Sequence, residues 1–327
     1  MSGVDAVLEA ACGARFTGAV ARVERHGQLL YECAFGATRA DERARPVYVD
    51  TPFDLASLTK LFVATLALET VERGLLELDA PLAGWFPEWR EDRHASITLR
   101  MLLAHTSGMD SGADYRTLFG KNVVDFALTQ ALLAAPGERV IYSDLGFIVL
   151  GALLERVCGR SLAALGRVAF GVDPFYVPSA RERLTIPATE EDAWRGRVQG
   201  AVHDEKAQLM GGVSGHAGLF GTASAVARLT QRYLDGWFPA AVALQADDPV
   251  LRRGLGWALK TTDENSCGAR FSMRSFGHTG FTGTCVWADP ERGLQAVLLT
   301  NAVYFGREDT RLLRIAFYDA AREAFGG

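Results

Sequence analysis

Cysteine is scarce in this chain. Cys12, Cys33, Cys158, Cys267 and Cys285 are odd in number, widely spread among 327 residues, and lack the paired spacing of a zinc site. They read as buried, reduced thiols of a cytoplasmic protein. No stretch reaches the roughly 18 apolar residues of a membrane span. Met1 to Gly18 has neither a cationic start nor an unbroken apolar core, so it does not read as an export signal. Positive charge is never concentrated: 34 Lys and Arg against 39 Asp and Glu leave a net charge of -5, which argues against a nucleic-acid or anionic-membrane partner. Repeats and low-complexity segments are also missing. What is present, 49% hydrophobic and 22% charged residues, suits a soluble globular enzyme with one large or two intermediate cores.

Residues 16 to 36 alternate as two antiparallel strands joined across His26-Gly27. Segments Gly256–Leu259, Ser275–His278, Thr284–Ala288 and Gln295–Thr300 also read as strands, with an amphipathic helix over Asp309–Phe325 closing the chain. Between them the pattern is helical over Leu82–Trp89, Thr98–Ala104, Val123–Ala134, Ser143–Cys158 and Ala223–Trp237, while Pro174, Pro178 and Pro187 break residues 171 to 200. The expected fold is α/β: an antiparallel sheet flanked by helices, built from both chain ends (1–76 and 240–327), holding a mostly helical inserted domain (77–239). A cleft is expected at their junction.

The chemistry points to Ser57-Leu58-Thr59-Lys60. One helical turn puts the serine and the lysine on one face, at the head of a run that is apolar nearly all round: Leu61, Phe62, Val63, Ala64, Leu66, Ala67, Leu68. Burial there lowers a lysine's pKa and favours a neutral amine able to take the serine's proton. Ser57 is the candidate nucleophile, and its backbone N–H, at the positive end of the helix, is a candidate oxyanion donor. Downstream lie Tyr142-Ser143-Asp144 and His278-Thr279-Gly280. Ser143 or Asp144 can cap the helix that follows, and Gly280 leaves a strand edge open to a substrate.

Taken in order, the Ser57 tetrad, Ile97-Thr98-Leu99-Arg100-Met101-Leu102-Leu103-Ala104-His105-Thr106-Ser107-Gly108-Met109, the Tyr142 tripeptide and the His278 triad resemble the serine β-lactamase and penicillin-binding-protein superfamily. Within it the likeness is to the branch of class C β-lactamases, D-alanyl-D-alanine peptidases and esterases. The resemblance implies an acyl-enzyme on Ser57, a Tyr142 hydroxyl close to Ser57 and Lys60, a second oxyanion donor at the Phe281 N–H, and Thr279 and Gly280 beside the substrate. It implies no metal and no cofactor.

Two positions depart from the pattern. Asp144 stands where asparagine is usual in β-lactamases, and its carboxylate opposes the burial effect on Lys60, leaving open which of Lys60 and Tyr142 is the base. His278 replaces a lysine, so a mostly neutral imidazole stands where a substrate carboxylate would meet a fixed cation. Short esters should therefore be preferred to penicillins.

A second polar cluster, Arg195 to Ala207 continuing through Gly211 to Phe220, is similar to N-acetylmuramoyl-L-alanine amidases of the same branch. His203, Asp204 and His216 either line the cleft and orient a muropeptide, or hydrogen-bond glycine-rich turns. Metal spacing is lacking. The expected protein is a cytoplasmic serine hydrolase acting on an ester or amide, with a small-molecule or muropeptide substrate. A true β-lactamase or D-alanyl-D-alanine carboxypeptidase, or an inactive ligand-binding scaffold, are the alternatives.

Overall fold

The computed structural model describes residues 2–112, 114–248 and 251–326. Its centre is a six-stranded antiparallel sheet in the order Gln28–Gly36, Gly18–Arg25, Leu294–Thr300, Cys285–Asp289, Phe276–Thr279, Ala258–Leu259. The two chain ends meet in its middle, with Ala19 opposite Thr300 and Arg25 opposite Leu294. The expected hairpin turns at His26 and Gly27, both at positive φ (49° and 74°), the twist that two-residue hairpins require and that glycine supplies without strain.

Both faces of the sheet are covered. Val4 and Leu8 of the helix Gly3–Ala11 and Phe317 and Tyr318 of the helix Arg311–Phe325 share one core with Ala19, Ala21, Val23, Trp287 and Leu298. On the other face Val20, Val286, Val297 and Leu299 join the larger core built on the helices Thr59–Glu72, Asp144–Cys158 and Ala223–Leu234. The alternation of strand residues between the two cores is the period-two signature of a sheet buried on both sides. The Ala223–Leu234 helix packs directly on the Gly18–Arg25 and Leu294–Thr300 strands, although the expected boundary at 239 groups it with the insert.

Other elements differ locally from expectation. Leu82–Trp89 is two short 3-10 turns, because Pro87 cannot donate to a continuing helix. The helix begun at Val123 stops at Thr129. Helices at Gly3–Ala11, with a Ser2–Asp5 capping box, and at Leu162–Phe170 carry no counterpart in the reading above. Among the described residues no helix is long and apolar enough to cross a membrane.

Candidate active site

Ser57 sits in a short 3-10 turn, Ala56–Leu58, that runs into the buried helix Thr59–Glu72. Ala56 is held at φ 46°, a strained conformation for a residue with a side chain, immediately before the candidate nucleophile. The surroundings over-determine it. The buried Asp54 carboxylate accepts from Ala56 N (2.9 Å) and from His203 N (2.6 Å). Phe53–Asp54 pairs with Leu219–Gly221, and the hydroxyls of Thr282 and Thr284 donate to the carbonyls of Asp54 (2.9 Å) and Leu55 (3.1 Å). Burial pushes the Asp54 carboxyl up, against those two N–H donors.

Gly280 is needed by this packing. A Cβ there would lie 2.1 Å from Thr284 Oγ1 and 2.8 Å from Leu55 O, so only glycine lets the strand end press against the Ser57 turn. The Phe281 ring that follows is 56% exposed at the cavity mouth.

Lys60 is fully buried and its ammonium has three acceptors: Ser57 Oγ at 3.0 Å, Asp144 Oδ1 at 2.8 Å and His216 O at 3.2 Å. Three acceptors match the three N–H bonds of an ammonium, one more than a neutral amine could serve. The expected opposition between burial and the Asp144 carboxylate thus falls toward a charged lysine. Burial does push Lys60 down, but the Asp144 carboxylate and Tyr142 outweigh it, and its pKa lies above the usual lysine value. Asp144 in turn is held low: burial raises it, and Lys60, His216 and Lys206 more than reverse that.

The Tyr142 ring lies 4.8 Å from Lys60 Nζ. It is set by the left-handed turn at His105, φ 58°, whose carbonyl accepts from Ile141 N (2.8 Å), whose Nδ1 accepts from Ser143 N (3.1 Å), and whose ring packs 4.6 Å from that of Tyr142. Burial, then Arg253 and Lys60, drive His105 well below the usual histidine range, so it is a neutral structural support. Ser143 caps the Asp144–Cys158 helix, accepting from Gly146 N at 2.8 Å, which aims Asp144 from the first turn back at Lys60.

Ser57, Tyr142, His278, Thr279, Gly280 and Phe281 line one cavity of about 540 Å³. His278 is neutral, its pKa well below the ordinary value through burial first and then Arg253 and Lys60. Its Nδ1 donates to Thr279 O (2.8 Å), leaving a buried Nε2 with no partner among the described residues. His203, Asp204 and His216 are not among the lining residues; they pack behind the site. The His203 ring stacks 5.5 Å from Phe281 with Nε2 3.1 Å from Glu190, and Asp204 caps the Glu205–Leu209 helix and holds His216 Nε2 at 2.7 Å. Trp194 stacks on Tyr115, outside the lining of this cavity.

Sequence reading missed Arg253. Its buried guanidinium lines the cavity, lies 5.3 Å from the Tyr142 ring centroid, and has no acidic partner among the described residues. Burial pulls its pKa down. A lone arginine outside any motif carries no signal that could have found it.

Residues 4–320 match the Beta-lactamase family. Esterase EstB of Burkholderia gladioli is 33% identical over 97% of this chain and 94% of its own. The N-acetylmuramyl-L-alanine amidase of Bacillus subtilis (strain 168) is 29% identical over 91% of this chain and 80% of its own. In fold the chain is similar to a penicillin-binding protein homolog from Caulobacter crescentus, with a TM-score of 0.77 at 22% identity, covering 97% of this chain and 96% of that one. Matched along nearly its whole length, and with its three expected motifs brought to one cavity, the chain belongs to the Beta-lactamase family.

Proposed function

We propose that the protein is a serine hydrolase that cleaves a small ester or amide through an acyl-enzyme on Ser57. The observation that carries this reading is the Lys60 ammonium 3.0 Å from Ser57 Oγ, in a site that also presents Tyr142 to the same cavity. Because Lys60 already holds its proton, it orients the hydroxyl and stabilises developing negative charge. Tyr142, between the Lys60 ammonium and the Arg253 guanidinium, accepts the serine's proton and returns it to the departing alcohol or amine. The N–H groups of Ser57 and Phe281 receive the carbonyl oxygen's charge. Water then releases the acyl group by the same route in reverse.

Similarity to an esterase at 33% identity supports an ester substrate, and the neutral His278 supports it further. Arg253 favours a second reading. A buried guanidinium that faces the cavity with no acidic partner among the described residues suits an amide or peptide substrate with a free carboxylate, such as a muropeptide, in line with the amidase relative. The five free thiols suit a cytoplasmic setting.

A fluorophosphonate probe with intact-mass detection, followed by a panel of p-nitrophenyl esters, D-amino-acid amides and muramoyl peptides, tests the reading against Ser57→Ala. One adduct, lost in the variant, is expected, with short esters hydrolysed faster than benzylpenicillin. Absence of an adduct would support a non-catalytic scaffold. Turnover of a chromogenic cephalosporin at the efficiency of a dedicated β-lactamase would overturn the ester preference.

A further inference from the structure

Behind Lys60, on the side away from the cavity, four charged side chains and an imidazole close a circuit. Asp144 gives Oδ1 to Lys60 (2.8 Å) and Oδ2 to Lys206 (3.3 Å). Lys206 Nζ lies 3.8 Å from Asp204 Oδ2, Asp204 Oδ1 lies 2.7 Å from His216 Nε2, and the His216 carbonyl returns to Lys60 Nζ at 3.2 Å. Ser214 Oγ holds the far side of the imidazole at 2.8 Å. Charges alternate around the ring, and the Lys206 side chain is only 13% exposed. Lys206 touches neither Ser57 nor the cavity, so the reaction above leaves it without a role.

Its position has an electrostatic consequence. Without Lys206 the whole Asp144 carboxylate would be committed to Lys60. With Lys206 on Oδ2, two ammoniums share one carboxylate and repel each other, so each binds its proton less firmly than it would with that carboxylate to itself. Burial and the Lys60 charge pull Lys206 down, but Asp204 and Asp144 outweigh them, so it still lies above the usual lysine value. Asp204 compensates Lys206 and is itself fixed by His216 and by Ala207 N at 2.8 Å. Asp144, Asp204 and His216 offer ligand atoms within 4.8 Å of one another, a spacing that would suit a cation, and the Lys206 ammonium already supplies positive charge between the two carboxylates.

We propose that Lys206, anchored by Asp204 and His216, is a positioning residue that fixes the Asp144 carboxylate, shares its charge with Lys60, and so sets the pH range over which Ser57 becomes reactive. This rests on the reading of Ser57 and Lys60 given under Proposed function. The groups facing Lys60 are Asp144 and Tyr142, with His105 and His278 beyond; Lys206 faces Asp144, Asp204 and Lys60; Asp144 also faces His216; and Arg253 borders Tyr142 from the cavity side. Removing one positive charge from this set makes every proton in it harder to lose, whichever group takes the serine's proton.

The test is the rate at which a fluorophosphonate labels Ser57 in the full chain between pH 5 and 10, followed by intact mass. In that step Oγ bonds to phosphorus, fluoride leaves, and the hydroxyl proton passes to the site's base. Lys206→Met should move the ascending limb up by about one pH unit and slow labelling near pH 7 about tenfold. Lys206→Arg should keep the wild-type limb. Lys206→Gln, which retains donors for Asp144 without the charge, answers the same question where the methionine variant does not fold. An unmoved limb in either neutral variant overturns the proposal, as does a limb in Lys206→Arg displaced as far as in Lys206→Met. Wild-type protein that is never labelled at Ser57 overturns the hydrolase reading and this proposal together.

Discussion

The two sides of Lys60 handle charge in opposite ways. Behind it, Asp144, Lys206, Asp204 and His216 form a ring in which each group meets a partner of opposite sign or a hydrogen-bond complement. In front, across the cavity and among the described residues, Arg253 has no acidic partner and buried nitrogens of Arg253, His278 and Arg314 have no hydrogen bond. A buried polar group without a partner costs about 1–3 kcal/mol. The rear is therefore self-sufficient and fixes proton affinity, while the front is built to be completed by something that enters. Fixed charge and unsatisfied charge lie on either side of the candidate nucleophile, Ser57.

The strongest attempt to break this contrast removes the group that joins the two sides. Lys60→Met should slow Ser57 labelling by about a thousandfold or more. It takes away the Ser57 donor and leaves Asp144 with Lys206 as its remaining ammonium. Arg253→Met, on the open side, removes a positive charge beside Tyr142 and should slow hydrolysis of a neutral ester near pH 7 by up to about tenfold. It should lower kcat/KM by about a further 10- to 100-fold for the same acyl group carrying a free carboxylate. Equal losses on both substrates would show that Arg253 supports the fold or Tyr142, and not the ligand.

Asp144→Asn probes the rear with the sign reversed. Asparagine keeps an oxygen for Lys60 but drops the charge that holds the lysine's pKa above its usual value. Loss of a proton from the site becomes easier, and the ascending limb of labelling should move down by about one pH unit, opposite to Lys206→Met. Movement of both limbs in the same direction would mean that geometry, not charge, governs the pair.

How much of this was legible in the chain depended on whether a residue belonged to a local pattern. The hairpin followed from alternation broken by His26-Gly27, and the Ser57, Tyr142 and His278 segments from their order and spacing. Arg253 and Lys206 follow no spacing rule: each is a single cation whose meaning comes from what distant segments place beside it, Tyr142 in one case and Asp144 with Asp204 in the other. Lys60 shows the limit in part: burial by its apolar helix and the opposing Asp144 carboxylate are both readable from the motifs, but which of them prevails is set by a 2.8 Å contact between residues 84 apart in the chain. For His203, Asp204 and His216 the sequence leaves cleft lining and turn hydrogen bonding equally open, and their contacts are of the second kind. The antiparallel pairing of Phe53–Asp54 with Leu219–Gly221 carries their loop behind the Ser57 turn, and that pairing of very short strands has no readable period. Leu82–Trp89 shows the converse, an apolar pattern of helical spacing overruled by one proline.

The smallest expected effect concerns stability in acid. Asp204 is buried, which raises its pKa, yet His216 and Lys206 hold it well below the usual carboxylate range. A carboxyl whose pKa is depressed by folding contributes stability that is present above its unfolded value, about 3.9, and is lost as pH falls through that value toward the folded one. Wild-type protein should therefore lose part of its margin below about pH 5. Asp204→Asn retains a side chain able to cap the Glu205–Leu209 helix but has no carboxylate to protonate. At pH 6.5 it should melt below wild type, and the gap should narrow by roughly 2–5 °C as the pH is lowered to 3. Arg253→Met, whose group does not titrate in that window, should keep a constant offset. Parallel melting curves for Asp204→Asn would mean that the rear ring is not held together by charge, and the contrast between the two sides of Lys60 would lose its physical basis.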